Sequence, residues 1–442
     1  MQILGQLVNA QPLYFTLKEI KMVTKIGIVK PLPRLVLLSV IILIFPIRPV
    51  NSAEKKGEEQ NILEYSFSGS RELGHQFRKV MANPEVQQLL LEMAESPRSA
   101  GYIEDVLNEI DITLSDLLNL QLVRQDGNRF ELSFVLYTRE DMDMIRVVAE
   151  EMGKLLAEGI IARRTEIENI IKCNVPSGVD WRETAFFIIG CVSLDWDGLS
   201  ISRNKGFLTQ AKSGEYLPQA IQPGGGGSKR ALYWGSHNYH SQIAITSFGD
   251  HFSVRQVLPD INWRMEVNAP DPLNKSLIDA ARGLIRLGIG RIMIALREAD
   301  LNISELSVKA GLPEDDTERL VKLLLDLDYI VEVDTKYRAI ITVLTNRDRK
   351  RVNQLRQIGK NIILKWFDEN YSDMYQKLSD LTPVKYGVPL ADGFYWVWHY
   401  VFGIANRELV NSGLFADPYD PERRFQGCIP AVYLYDVVTD PL

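Results

Sequence analysis

The stretch from Leu118 to Asp141 aligns without a gap onto the stretch from Leu325 to Asp348, an offset of 325 − 118 = 207 residues. In this alignment apolar residues fall on apolar residues, and a Thr-x-x-Asp sequence ends both stretches. These are positions where a substitution would disturb the fold. Two copies of a pattern at one offset indicate two copies of a structural unit. The chain is therefore expected to contain a duplicated module.

The Thr-x-x-Asp sequences begin at Thr138 and Thr345, and each precedes a periodic apolar stretch. This is a capping-box-like signature, in which the Thr hydroxyl accepts a free backbone N–H of the first helical turn. We therefore predict a long helix after each Thr. Apolar residues at three- and four-residue spacing follow in both copies, and such stripes pack against neighbouring elements.

Ahead of these long helices, both copies show two short helices and then a hairpin. In the first copy, helices are predicted over 103–110 and 114–122, and the segment 123–137 alternates across Asp126-Gly127-Asn128. In the second copy, helices over 303–310 and 315–327 flank Gly311-Leu312-Pro313, and the hairpin turns near Asp334-Thr335. This order resembles the winged helix-turn-helix domains of the arsenic-repressor type. The resemblance implies two winged-helix-like modules.

We therefore expect an α+β, mainly helical fold in which each winged-helix-like module is followed by long helices. The predicted domains are 54–200 for the first module, 201–270 for a loop and β-hairpin insert, and 271–442 for the second module with aromatic C-terminal helices. Within the insert, residues 206–222 read as loop, and residues 231–258 alternate as short strands that turn at Gly249-Asp250. Helices are also expected over 71–93, interrupted near Asn83-Pro84, and around 181–190 and 393–410.

Residues 1–53 have the features of an export signal. Basic residues precede an apolar run from Leu35 to Phe45, and small residues follow up to Ala53. The run is shorter than the roughly 20 residues that a membrane-spanning helix needs, but it suits a signal peptide. We expect an exported protein of the periplasm or cell envelope. An uncleaved membrane anchor and a cytoplasmic protein with a later start are the alternatives.

The net charge of −7 becomes more negative when residues 1–53 are removed, because that segment is basic. An acidic surface repels phosphate backbones unless basic residues are segregated on one face. Cys173, Cys191 and Cys428 have no metal-ligand spacing. Buried thiols are expected, with a disulfide between Cys173 and Cys191 as the alternative.

The candidate ligand or metal site lies in the insert, where three of the five histidines occur close together. His237, His240 and His251, with Asp250, approach one another if their two segments pair as strands. Imidazole and carboxylate together suit zinc or a similar divalent ion. No fixed ligand spacing supports the site, so the main expectation is that no cofactor is bound. His399 lies in an aromatic helix and is predicted to be a partly buried, hydrogen-bonded side chain.

Winged helices bind DNA by placing their second motif helix in the major groove, so the charges of that helix matter. Residues 114–122 contain no Lys or Arg, and residues 315–327 are mainly acidic. Phosphate contacts by basic side chains supply most of the affinity for DNA, which makes nucleic acid an unfavoured partner. The alternative DNA-binding residues are Arg347, Arg349, Lys350 and Arg351, which follow the second hairpin.

We expect a non-enzymatic exported protein that uses duplicated modules to bind a protein partner, a ligand or a second copy of itself. The first alternative is a winged-helix transcriptional regulator. The second is a metal-dependent enzyme centred on His237 and His251. No residue pattern in the chain identifies a catalytic group.

Overall fold

The computed structural model describes residues 62–173, 175–212, 215–222, 287–326, 328–420, 422, 429–434 and 437, and the backbone of 234–240 and 243–249. The predicted export signal over residues 1–53 lies outside these residues. The described part is α+β and mainly helical, which confirms the predicted coarse fold class. We refer to residues 62–222 as the first half and to residues 234–437 as the second half.

The first half begins with a strand and alternates short and long elements. Its elements are β1 (Glu64–Gly69), α1 (Arg71–Met81), α2 (Pro84–Glu95), β2 (Arg98–Ser99), α3 (Ala100–Leu107), α4 (Leu114–Asn119), β3 (Val123–Asp126), β4 (Arg129–Leu132), β5 (Val135–Tyr137), α5 (Arg139–Ile161), α6 (Arg164–Lys172), α7 (Trp181–Asn204) and β6 (Tyr216–Ile221).

The second half has a similar order of elements. They are β7 (Trp234–His240), β8 (Ile243–Gly249), α8 (287–298), α9 (Ile303–Ala310), α10 (Glu314–Asp326), β9 (Ile330–Val333), β10 (Lys336–Ala339), β11 (Thr342–Leu344), α11 (Arg349–Lys377), α12 (Thr382–Lys385), α13 (Leu390–Asn411) and β12 (Ile429–Leu434).

Local sequence signals set many of these boundaries. The side chain of Asn83 caps α2, and Pro84 occupies the first helical turn, where a missing N–H costs nothing. The predicted interruption between α1 and α2 is therefore confirmed. Thr138 and Thr345 each form the predicted capping box, ahead of α5 and of the single 3₁₀ turn that leads into α11.

The two halves share their backbone geometry at the offset of 207 residues. β9, β10 and β11 begin and end at positions that correspond to β3, β4 and β5. Gln121 and Asp328, which correspond at this offset, both have positive φ angles, 54° and 51°. The short strand β2 pairs with β4, and Leu301 pairs in the same way with Tyr337 of β10. Both halves are therefore built to one plan.

The larger sheets also agree between the halves. β6 is antiparallel to β1 and parallel to β5, and β12 is antiparallel to β8 and parallel to β11. One prediction for the insert was wrong, because residues 216–221, predicted as loop, form β6. Within the predicted strands of 231–258, β7 and β8 pair as a hairpin in which His240 is opposite Ile243. The predicted turn at Gly249-Asp250 falls at the last residue of β8, and Asp250 lies outside the described residues.

The hydrophobic core has three parts. One is formed by the elements from α1 to β6 of the first half, and a second is formed by the elements from α8 to β12 of the second half. The third and largest is shared, because α5 and α7 of the first half pack there with α11 and α13 of the second half. The long helices therefore join the two halves.

The helices cross between the halves in a reciprocal way. At the start of α5, the hydroxyl of Tyr137 lies against Gly393 of α13, and further along Gly153 lies against Ile404, so these two helices run parallel. Conversely, α11 of the second half packs on α7 of the first, where Gly359 contacts Ser193. The first long helix of each half thus packs against the second long helix of the other half.

The helix α7 is unusual in two respects. Its middle, Phe186–Asp197, is π-helical, whereas π-helices are normally single turns and occur often at functional sites. It is also long and apolar enough to cross a membrane, but 89% of its most apolar window is buried inside the protein. Burial of this kind is typical of a core helix, and α7 forms part of the shared core.

Candidate functional site

The histidine-rich hairpin is described only by its backbone, and Asp250 and His251 lie outside the described residues. His237 is opposite Thr246, and His240 is opposite Ile243 beside the turn. Gly249, which precedes Asp250, is opposite Trp234, six positions from His240. Six residues of strand span about 20 Å, so the register separates His240 from the end of the hairpin that leads to Asp250 and His251.

The basic run after the second hairpin divides into exposed and buried residues. Arg347, Arg349 and Lys350 are exposed, and Arg347 forms an ion pair with Glu298. Arg351 is only 6% exposed. Its guanidinium donates to Asp348 at 2.6 Å and to the carbonyl oxygen of Ile171 in the first half at 3.2 Å. A DNA-binding surface in this region would therefore consist of the other three.

Two buried aspartates connect the long helices to distant parts of the chain. One carboxylate oxygen of Asp141 accepts from the backbone of Thr138, and the other accepts from the backbone N–H of Thr382 in the second half at 2.8 Å. One carboxylate oxygen of Asp348 accepts from the backbone N–H of Thr345 in the same way, but the other oxygen forms ion pairs with two arginine side chains. The equivalent positions therefore have equivalent caps and different second partners.

A bidentate ion pair lies in the interface between α7 and α11. Arg356 donates from Nε at 3.0 Å and from Nη2 at 2.7 Å to the two carboxylate oxygens of Asp197, and Lys360 lies 3.5 Å from the same carboxylate. Both Arg356 and Asp197 are buried, at 8% and 5% exposure. Asp197 thus lies within the long helix α7 and binds Arg356.

The second buried acidic group of α7 is Asp195, which faces His399 of α13. Asp195 Oδ1 lies 3.9 Å from His399 Nε2, and both side chains are about nine-tenths buried. Burial raises the pKa of the Asp195 carboxyl to about 7. His399 Nδ1 lies 2.7 Å from the carbonyl oxygen of Tyr395, which confirms that His399 is a buried, hydrogen-bonded side chain.

The tautomer of His399 follows from this contact, since a carbonyl oxygen can only accept. Nδ1 therefore carries the proton, and in the neutral ring Nε2 faces Asp195 as an acceptor. With a pKa of about 7, the Asp195 carboxyl can hold a proton near neutral pH inside the shared core. The residues that the structure describes contain no group of three or more His, Cys, Asp or Glu side chains suited to a metal ion.

The helices α4 and α10 are the second motif helices of the two predicted winged-helix-like modules. The exposed residues of α4 are uncharged: Ser115, Leu118 and Asn119. The exposed residues of α10 are Glu314, Asp315, Glu318 and Lys322. The first surface is thus polar with one apolar side chain, and the second is acidic.

A groove of about 360 Å³ lies where the parallel helices α5 and α13 end. Ala157 and Ile161 form its apolar part, and Lys154, Glu158 and Glu408 add charges of both signs. This mixture does not select one class of ligand. Compared with known protein families, with curated proteins and with solved structures, the chain shows no match.

Proposed function

We propose that this chain is a non-enzymatic, exported protein that binds protein partners through two winged-helix-like modules. The modules comprise α2 to β4 in the first half and α8 to β10 in the second. Each has three helices and a hairpin, and the hairpin pairs with a short strand in the first module and with the single residue Leu301 in the second. This order supports the winged-helix interpretation, and a fold alone fixes no function.

The observation that carries the proposal is the charge of α4 and α10. Exposed Glu314, Asp315 and Glu318 would repel DNA phosphates, and α4 offers no cation to bind them. Basic or polar protein surfaces are complementary to α10, and Leu118 gives α4 an apolar contact of the kind found at protein interfaces. Both modules are thus better suited to proteins than to nucleic acid.

The basic residues of the second half support the same conclusion. Arg351 donates to Asp348 and to the carbonyl oxygen of Ile171 in the first half, and Arg356 binds Asp197 of the first half. Both arginines therefore link the halves and are not available to phosphates. A regulator would have to bind DNA through Arg347, Arg349 and Lys350 alone, on a chain with a net charge of −7. The proposed location in the cell envelope rests on the sequence of residues 1–53.

A photo-crosslinking amino acid at Glu318 tests the proposal. We expect it to capture an envelope protein in intact cells, while the same amino acid at Lys365, an exposed residue on α11, captures none. Anisotropy of labelled duplex DNA is measured in parallel. Nanomolar, salt-sensitive binding to DNA would contradict the proposal and favour the regulator.

The metal-dependent enzyme is tested separately through His237 and His251. Metal analysis of the purified protein and of its His251→Ala variant decides this hypothesis. A stoichiometric ion that is lost in the variant would favour the enzyme. The absence of such an ion would remove it.

A further inference from the structure

The outer edge of β1 is the surface that carries a further inference. In the sheet ordered β1-β6-β5, β1 lies at one end, and within the described residues no strand pairs with its outer side. Ser66 and Ser68 are exposed on this strand. β1 is six residues long and contains no Lys and no Pro, the residues with which proteins commonly protect an edge.

The pairing of β1 with β6 shows which backbone groups face outward. The N–H of Ser70 donates to the carbonyl oxygen of Glu215, and in an antiparallel pair the bonded positions recur at every second residue. Ser68 and Ser66 therefore bond to β6. Phe67 is opposite Pro218, which has no N–H to donate. The N–H and C=O groups of Tyr65 and Phe67 thus point away from β6.

The second half shows what can cover such an edge. There β8 holds the position of β1, because it is the antiparallel neighbour of β12 as β1 is of β6. The outer side of β8 pairs with β7 along seven residues, in antiparallel orientation. The same architectural position therefore accepts an added antiparallel strand elsewhere in this chain.

The segment that would supply this strand to β1 by analogy is 54–60, which lies shortly before the first described residue, 62. Its sequence is Glu-Lys-Lys-Gly-Glu-Glu-Gln, without a β-branched or aromatic residue. Such residues are depleted in strands. β7, in contrast, contains Trp234 and Tyr239. The segment 54–60 is thus a poor substitute for β7.

We propose that β1 pairs antiparallel with β1 of a second copy of this chain, forming a twofold dimer. The outward groups of Tyr65 and Phe67 select the register, because the alternative that bonds Tyr65 with Gly69 uses a residue whose φ of 97° is not extended. Tyr65 then bonds with Phe67 of the other copy, and Phe67 with Tyr65. Both bonded pairs then form together, and Ser66 faces its own counterpart on the twofold axis. Pairing of a strand with its own copy closes with two chains and leaves neither β1 edge open.

The side chains of β1 suit this register. Each Tyr65 lies across from a Phe67, and aromatic cross-strand pairs stabilise a sheet. Glu64 lies across from Ser68, so the two copies of Glu64 do not face each other. The surface buried by one strand pair is small, and we expect a dissociation constant on the order of micromolar.

Sedimentation velocity over about 1 to about 200 µM purified protein measures this dimer. Ser66→Lys and Ser66→Glu each place like charges on the twofold axis, where the strands come closest, and each should raise the dissociation constant at least tenfold. An equimolar mixture of the two variants should recover the dimer, since opposite charges then meet. Ser372→Lys, at an exposed position of α11, is the matched control and should leave the dimer unchanged.

Three results would overturn the proposal. The unsubstituted protein could remain monomeric at the highest concentration, or the Ser66 variants could dimerise normally. A monomer in which the amides of Tyr65 and Phe67 resist hydrogen exchange would assign the edge to residues 54–60. The Ser66 surface is distinct from α4 and α10, so this proposal and the proposed function can fail independently.

Discussion

At the scale of single residues, the buried ion pair of Asp197 with Arg356 links the two halves. Replacing Asp197 by Leu leaves Arg356 buried without its carboxylate and Lys360 beside it, and we expect a loss of about 3 to 5 kcal/mol in the free energy of unfolding. Arg356→Met should cost less, because Lys360 still lies near the aspartate. Urea unfolding of both variants measures the difference.

The control for this pair is Lys365 with Glu369, in which both side chains are more than half exposed. Exposed ion pairs contribute little, so Lys365→Met should change the free energy of unfolding by less than about 1 kcal/mol. Equal effects of Lys365→Met and Asp197→Leu would show that burial does not determine the strength of the Asp197 pair.

Also at this scale, Asp195 predicts a pH dependence of stability. Its pKa is raised to about 7 in the folded protein, so between about pH 4 and pH 7 the folded state binds more protons than the unfolded state. The contribution of this group to stability is therefore present at low pH and is lost as pH rises through 7. Asp195→Asn, which cannot titrate, should gain stability relative to the unsubstituted protein by up to about 1.4 kcal/mol per pH unit in this window.

Urea unfolding at about pH 5 and about pH 8 measures this difference. Glu369→Gln, at an exposed carboxyl, should show no such change. The opposite sign for Asp195→Asn would mean that a protonated His399 stabilises the Asp195 carboxylate, because a neighbouring cation lowers a carboxyl pKa. Tyr395 and Cys191 are the other titratable groups that interact with Asp195.

At the scale of elements, the contact of α5 with α13 depends on glycine. A Cβ added to Gly153 would lie 2.6 Å from Cβ of Ile404 and 2.7 Å from the carbonyl oxygen of Val401. Gly153→Ala should therefore destabilise the protein by about 1 to 3 kcal/mol, as overpacked cores do. A Cβ on Gly101 of α3 meets nothing within 4 Å, so Gly101→Ala should stabilise by about 0.5 to 1 kcal/mol.

In thermal unfolding, Gly153→Ala should lower the melting temperature, because packing decides at that position. Gly101→Ala should raise it, because backbone freedom decides there. A stabilised Gly153→Ala variant would show that α5 and α13 move apart without cost.

Local sequence was sufficient to predict elements whose causes are local. The Thr138 and Thr345 caps, the break at Asn83-Pro84 and the turn at Asp126-Gly127-Asn128 each follow from a few adjacent residues, and the structure contains all of them. β6 was missed because its partners β1 and β5 lie far away in the sequence, and Pro218 within it favours a loop.

The buried polar pairs could not be predicted for a related reason. Arg356 and Asp197 lie on different halves, and the pattern of each helix shows only that it is amphipathic or apolar. Arg351 was grouped with Arg347, Arg349 and Lys350 because the four are close in sequence, although only Arg351 is buried. His399 could be predicted as buried from its aromatic neighbours, but Asp195 as its counterpart required the structure.

At the scale of the whole molecule, the two halves pack against each other through the shared core as two subunits of a dimer do. α5 packs on α13, and α11 packs on α7, so the contacts between the halves are reciprocal, as in a twofold dimer. The buried hydroxyl groups of Thr184 in α7 and Thr342 ahead of α11 are 2.9 Å apart. Thr342 corresponds at the offset of 207 residues to Val135, whose side chain lies near Gly393 of α13. The core, rather than the peptide connection, should therefore hold the halves together.

A specific protease site inserted between Gly224 and Ser228, in the segment that joins the halves, tests this expectation. After complete cleavage, the two fragments should elute together in size-exclusion chromatography, because separation would expose the apolar faces of four long helices to water. They should separate in urea. Asp197→Leu, which leaves buried cations in the interface, should lower the urea concentration at which the cleaved fragments part. Separation of the fragments in native buffer would show that the shared core depends on the covalent link, and that the halves are domains of one folding unit and not paired subunits.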